Sequence, residues 1–184
     1  MPRSSMTALA GAVTALLLVG SAPAASANSA TSAGPHIVTY DAGKAAEFQA
    51  AVDAAAQVWN GQVSNVTLQK SAGGPADLTV LADDGWPRAQ VDSLGSGTVW
   101  MGREAVSAGH HVPRIATHEI GHIFGLPDNR TGVCADLMSG ASAGTDCTND
   151  LPNEEEKGEV ERNFAQDASI APRLLAETPA LATR

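Results

Sequence analysis

Eleven residues, His118 to Asp128 (HEIGHIFGLPD), constrain this chain more than any other stretch. Four residues make about one turn of α-helix, so His118 and His122 project from the same face. Two imidazole nitrogens so placed can bind one Zn²⁺ at roughly 2.0–2.1 Å each. Glu119 lies slightly off that face, where its carboxylate can take a proton from a water attacking a polarised carbonyl. Gly125 can adopt the positive φ that ends a helix, and Pro127 cannot continue one. The chain therefore turns sharply, and Asp128 can swing back as a third, oxygen ligand. Three protein ligands leave a fourth position open, as in catalytic rather than structural zinc sites.

A bare HExxH also fits a solvated helix face carrying two unrelated histidines. Gly125, three residues past His122, and a metal-capable residue three further on make the metal the stronger reading. The same motif with a third histidine and a later methionine turn marks the metzincin metallopeptidases; here the third ligand is Asp128.

These residues do not stand alone. HEIGHIFGLPD, the run Cys134-Ala135-Asp136-Leu137-Met138-Ser139-Gly140 and Cys147-Thr148-Asn149 resemble the snapalysin family of small secreted neutral metalloproteases. The similarity extends from Val38-Thr39-Tyr40-Asp41, through Ala56-Gln57-Val58-Trp59-Asn60, to about Ala165. The resemblance implies an α/β (α+β) metzincin-like fold: a small twisted mixed sheet with an antiparallel edge strand, a long packing helix, an active-site helix and a C-terminal helix. Residues 98–101 are the expected edge strand, on which a substrate would lie as an added strand. The resemblance further implies a zinc endopeptidase with one Zn²⁺ per chain and a preference for a bulky hydrophobic or aromatic residue after the scissile bond. Met138 would form the turn that floors the metal site, where the bland alternative is a methionine filling a core gap.

Two positions depart from the family pattern. The aspartate and threonine that hold a structural calcium are matched by His111 and Pro113, which offer neither a carboxylate nor a hydroxyl. Calcium is therefore not carried over. Arg130 stands where the family has a tyrosine that supports the transition state; a guanidinium there can stabilise an oxyanion or be a plain surface charge.

Residues 1–27 read as a secretory signal peptide: Arg3, an apolar run from Thr7 to Gly20 too short to span a bilayer, and Ala25-Ser26-Ala27 as cleavage site. Removing 27 of 184 residues leaves 157, enough for one domain with a sizeable core. What remains has ten bases against twenty acids, which disfavours nucleic acid or an anionic membrane as partner. A secreted, extracellular monomer acting on proteins or peptides is the expectation. Residues 28–35 read as a flexible lead or short pro-segment, 36–165 as the zinc metalloprotease domain, and 166–184, with Pro172 and Pro179, as a loosely ordered tail.

Within the domain, His36–Tyr40 reads as a strand and Lys44–Asn60 as a helix with Phe48, Val52, Ala55, Ala56 and Trp59 on one stripe. Short strands are expected around Val63–Leu68, at Leu78–Leu81 and on either side of Gly95-Ser96-Gly97. That triplet is not a serine-hydrolase elbow, which requires G-x-S-x-G at a strand-to-helix turn. Pro113 suits the first turn of the active helix, and His110 and His111 before it read as exposed loop residues. Cys134 and Cys147, the only two cysteines, read as a disulfide in a secreted chain. Asn153 with Glu156 three residues on reads as the start of a last helix. The rival function is a catalytically weak or inactive metalloprotease-like binding module.

Overall fold

The computed structural model describes Met1, residues 34–165 and residues 171–179. The signal segment, most of the lead and parts of the tail lie outside the described residues.

Alternation of small or branched apolar residues with polar ones sets the sheet. In β1 (His36–Lys44), Val38, Tyr40 and Ala42 point into the core while their neighbours do not. Leu78 and Val80 of β3 (Leu78–Asp83), Ala89 and Val91 of β4 (Arg88–Ser93), and Val99 and Met101 of β5 (Ser96–Gly102) do the same. With β2 (Val66–Lys70) and β6 (Arg173–Ala176) they form one sheet of order β2-β1-β3-β5-β4-β6. The pairs β1–β2, β1–β3 and β3–β5 are parallel, whereas β4 runs antiparallel to both β5 and β6.

The buried face is covered by α1 (Gln49–Gln62) and α3 (Val112–Ile123), with α4 (Glu154–Ala165) closing one end. A short α2 (Arg103–Ser107) links β5 to α3. Trp59 of α1 is fully buried, packs edge-on against Phe124 at 5.3 Å, and donates its indole N–H to Thr117 O at 3.0 Å. The two long helices are thus joined by one aromatic residue whose polar tip is satisfied. Truncating it to alanine would cost roughly 3–5 kcal/mol.

Three expectations change. The long helix begins at Gln49 rather than Lys44, because Lys44 still pairs with Leu81 after a bulge. The bulge is set by Asp41, whose side chain accepts the Gly43 N–H at 2.7 Å. Residues 98–101 are not the edge strand, since β5 lies between β3 and β4. The chain reverses at Leu94-Gly95, so the strand before the turn, β4, becomes the outer antiparallel one. Finally, part of the tail expected to be loosely ordered is a strand, because β4 offers it an unpaired ladder edge.

Candidate metal centre

The active helix is buried along ten consecutive residues, Arg114 to Ile123, so every polar side chain on it needs a partner. Its ending is what shapes the centre. Gly125 takes φ +95°, Leu126 N–H donates to Gly121 O at 3.0 Å, and Gly125 N–H donates to His122 O at 3.0 Å. This pair of bonds is a Schellman motif, which reverses the chain and returns Asp128 to the helix face.

His118 Nδ1 lies 3.0 Å from Leu137 O, and His122 Nδ1 lies 2.8 Å from Leu126 O. A carbonyl can only accept, so each Nδ1 carries a proton and each Nε2 of the neutral ring turns a lone pair inward. Asp128 Oδ1 lies 3.4 Å from His118 Nε2 and 3.5 Å from His122 Nε2. Two ligands held about 2.0–2.1 Å from one tetrahedral ion sit roughly 3.3 Å apart, which is close to both spacings. His118 Nε2 and Asp128 Oδ1 are also buried without a hydrogen-bond partner. Lone pairs facing one another in a dry site repel unless a cation lies between them. The three residues therefore fit a divalent ion.

Glu119 is fully buried and neither of its carboxylate oxygens has a partner. Burial pushes its carboxyl up to about 8, with His118 opposing and the carboxylates of Glu177 and Asp128 adding. The histidines divide sharply. Burial and then the charge of His118 push His122 down to about 3. Burial also opposes charge on His118, but the carboxylates of Asp128 and Glu177 prevail and hold it up at about 10.

Behind the helix, Met138 is buried with its sulfur against Gly121, between the two histidines. The turn around it is held from two sides that sequence reasoning missed. Glu156 accepts the backbone N–H groups of Leu137 at 3.2 Å and Met138 at 2.7 Å. Buried Arg114 donates to the carbonyls of Cys134, Asp136, Leu137 and Asn149. Glu156 also completes the expected capping box with Asn153, each side chain bonding the other's backbone N–H. Only the capping spacing was visible in sequence. The disulfide joins Cys134 to Cys147 at the foot of this turn.

Arg130 reaches neither Glu119 nor open solvent alone. It donates to Asp128 Oδ2 at 3.1 Å and to Glu177 Oε2 at 3.2 Å. Glu177 was not anticipated at all: its Oε1 lies 2.8 Å from His118 Nε2, without the geometry of a hydrogen bond. Burial opposes its charge, yet His118 and Arg130 hold it down to about 2. Beside it opens a cleft walled by Trp86, Pro87, Ala105, Ile115 and the half-buried His110 and His111. These two histidines were expected to be exposed; the packing of His110 edge-on against Trp86 at 5.9 Å draws them in.

Residues 35–167 match the family described as Streptomyces extracellular neutral proteinase (M7). The chain is 39% identical over 130 residues to the "Extracellular small neutral protease" of Streptomyces caespitosus, covering 70% of this chain and 96% of that protein. It is 39% identical over 137 residues to the protein of the same name from Streptomyces coelicolor, covering 73% of this chain and 62% of that one. Against the Streptomyces lividans protein the identity is 37%, and the chain spans 56% of its length. The family match stops before β6 and Glu177. With the HExxH helix in place and the Asp128 carboxylate beside its two histidines, the chain belongs to the Streptomyces extracellular neutral proteinase (M7) family and is a metalloprotease.

Proposed function

We propose that the protein is a secreted endopeptidase whose Zn²⁺ is held by His118, His122 and Asp128, with Glu119 as general base and then general acid. The observation that carries this is the convergence of both histidine Nε2 atoms on Asp128 Oδ1 at 3.4–3.5 Å, with His118 Nε2 and Asp128 Oδ1 buried and unpartnered. Zinc, when bound, polarises the scissile carbonyl and makes a water acidic enough to be deprotonated near neutral pH. Glu119, dry and unpaired, takes that proton and passes it to the leaving amine. Leu137 O and Leu126 O fix the tautomers of the two histidines. Met138 forms the floor beneath Gly121.

Trp86, Pro87, Ala105 and Ile115 make the cleft beside Glu119 largely apolar, which suits a bulky hydrophobic or aromatic residue after the cut bond. Secretion rests on the signal-like residues 1–27 and on the extracellular relatives; among the described residues no helix is long and apolar enough to cross a membrane. The test is Glu119→Gln. Hydrolysis should fall by several orders of magnitude while the protein still binds one zinc; retained turnover would refute the role of Glu119. The rival, a non-catalytic module, gains from Arg130 being engaged by Asp128 and Glu177. It requires that no chelator-sensitive peptide cleavage be found.

A further inference from the structure

β4 is the antiparallel strand beside the metal centre, and its outer edge is already taken. Arg173, Leu174, Leu175 and Ala176 of β6 pair with Val91, Gln90, Ala89 and Arg88. The pairing continues one residue further, where Glu177 N–H donates to Pro87 O at 3.0 Å. At the other end Arg173 donates to Gly125 O at 2.9 Å, spanning towards the bend that ends the active helix. The tail therefore fills the β4 edge whose end, at Pro87 and Glu177, walls the cleft beside Glu119, the edge to which an extended peptide entering that cleft would add as a strand.

The side chain that follows β6 is seated with care. Glu177 is buried, its Oε2 accepts the Ala141 N–H at 3.2 Å and the Arg130 guanidinium, and its Oε1 faces His118 Nε2. Gly140, at φ +56°, leaves the room: a Cβ there would stand 2.1 Å from Glu177 Oε1. His118, Glu119 and Glu177 together form a second set of buried groups close enough to share one ion. A carboxylate in that position competes with any substrate carbonyl that needs the same space.

By contrast, the strand itself is lightly held. It has four residues, Leu174 is 59% exposed, and Leu175 is only half-buried. A short, half-exposed edge strand can leave without opening the core. A core strand would not be built this way, whereas a displaceable occupant would.

We propose that residues 173–177 are a built-in inhibitory strand, occupying the substrate edge of β4 and placing the Glu177 carboxylate at the metal centre until the tail is displaced or cut away. The proposal rests on the protease reading above and names the regulation of that same site. Substrate and tail then exclude one another, and the apparent affinity for substrate falls by the fraction of molecules whose edge is free.

The test uses the full chain, its Glu177→Gln variant, and the double variant Leu174→Pro/Leu175→Pro, which removes the Leu175 ladder donor and stiffens β6 without touching β4. In the metal-free proteins, amide exchange of residues 88–93 should be faster in the proline variant than in the parent. In the zinc-loaded proteins, its KM for a peptide should fall about tenfold or more with kcat little changed, the mark of relieved competition. Glu177→Gln should move KM in the same direction by less. A synthetic peptide of residues 171–179 added to the proline variant should restore both slow exchange and high KM. Equal KM in all three proteins, or exchange of residues 88–93 that does not respond to the prolines, would overturn the inhibitory strand alone. Absence of cleavage by every variant would overturn the protease reading and the inhibition with it.

Discussion

The sulfur of Met138 lies directly under Gly121, so close that a methyl group added to the glycine would fall 2.9 Å from it and 3.3 Å from the Trp59 ring. Met138 and Trp59 are both buried in the packed core. Gly121→Ala should therefore destabilise the fold by about 1–3 kcal/mol, despite alanine's better helix propensity. Urea unfolding measures this directly. A variant as stable as the parent would mean that the methionine shifts at no cost.

Glu156 should matter more than an ordinary helix-start glutamate. Replacing it with alanine leaves the N–H groups of Leu137 and Met138 buried without partners. Each orphaned donor costs about 1–3 kcal/mol, so Glu156→Ala should lose about 2–6 kcal/mol. Glu156→Gln, which keeps one acceptor oxygen, should fall between the two. Equal losses for both variants would show that only the charge matters.

Reduction of the Cys134–Cys147 bridge, 13 residues apart in sequence, removes about 3 kcal/mol in the chain-entropy picture. For a domain of this size that lowers Tm by roughly 6–12 °C. Because Leu137 O orients His118, reduction should also weaken zinc retention in a chelator competition. Unaltered zinc retention after verified reduction would separate the bridge from the centre.

Tyr40 is the single tyrosine of the chain, so tyrosinate absorbance reports on it alone. Burial, together with its hydrogen bond to Asp53 at 2.9 Å and the charge of that carboxylate, pushes the phenol up to about 12. The folded pKa lies above that of an unfolded tyrosine, about 10. The stabilisation it represents is therefore whole below pH 10 and declines as pH rises towards 12. The spectrophotometric midpoint should be near 12 in the native protein and near 10 in denaturant; coincident midpoints would refute the burial argument.

The metal-centre helix, its terminating glycine and the return of Asp128 were legible because each depends on neighbours within eleven residues. So were the alternating strands β1 and β3 and the capping box of α4. The order of the outer strands was not legible, since 98–101 and 88–93 carry the same β-prone pattern and only the turn at Leu94-Gly95 decides which lies outside. Arg114, and the second role of Glu156 beyond its cap, escaped notice because both act on backbone carbonyls and N–H groups some twenty residues away, which no periodicity records.

By itself, the sequence determined which groups the proposed chemistry draws on: two imidazoles and the carboxylates of Glu119 and Asp128, set by helical pitch and a glycine-ended turn. Tertiary structure decided who else has access to them. Glu177 lies 59 residues from His118 along the chain, and four residues of modest β-propensity say nothing of a destination. Only the unpaired edge of β4, formed after the sheet assembles, provides hydrogen bonds that draw the tail in and bring its carboxylate to the centre.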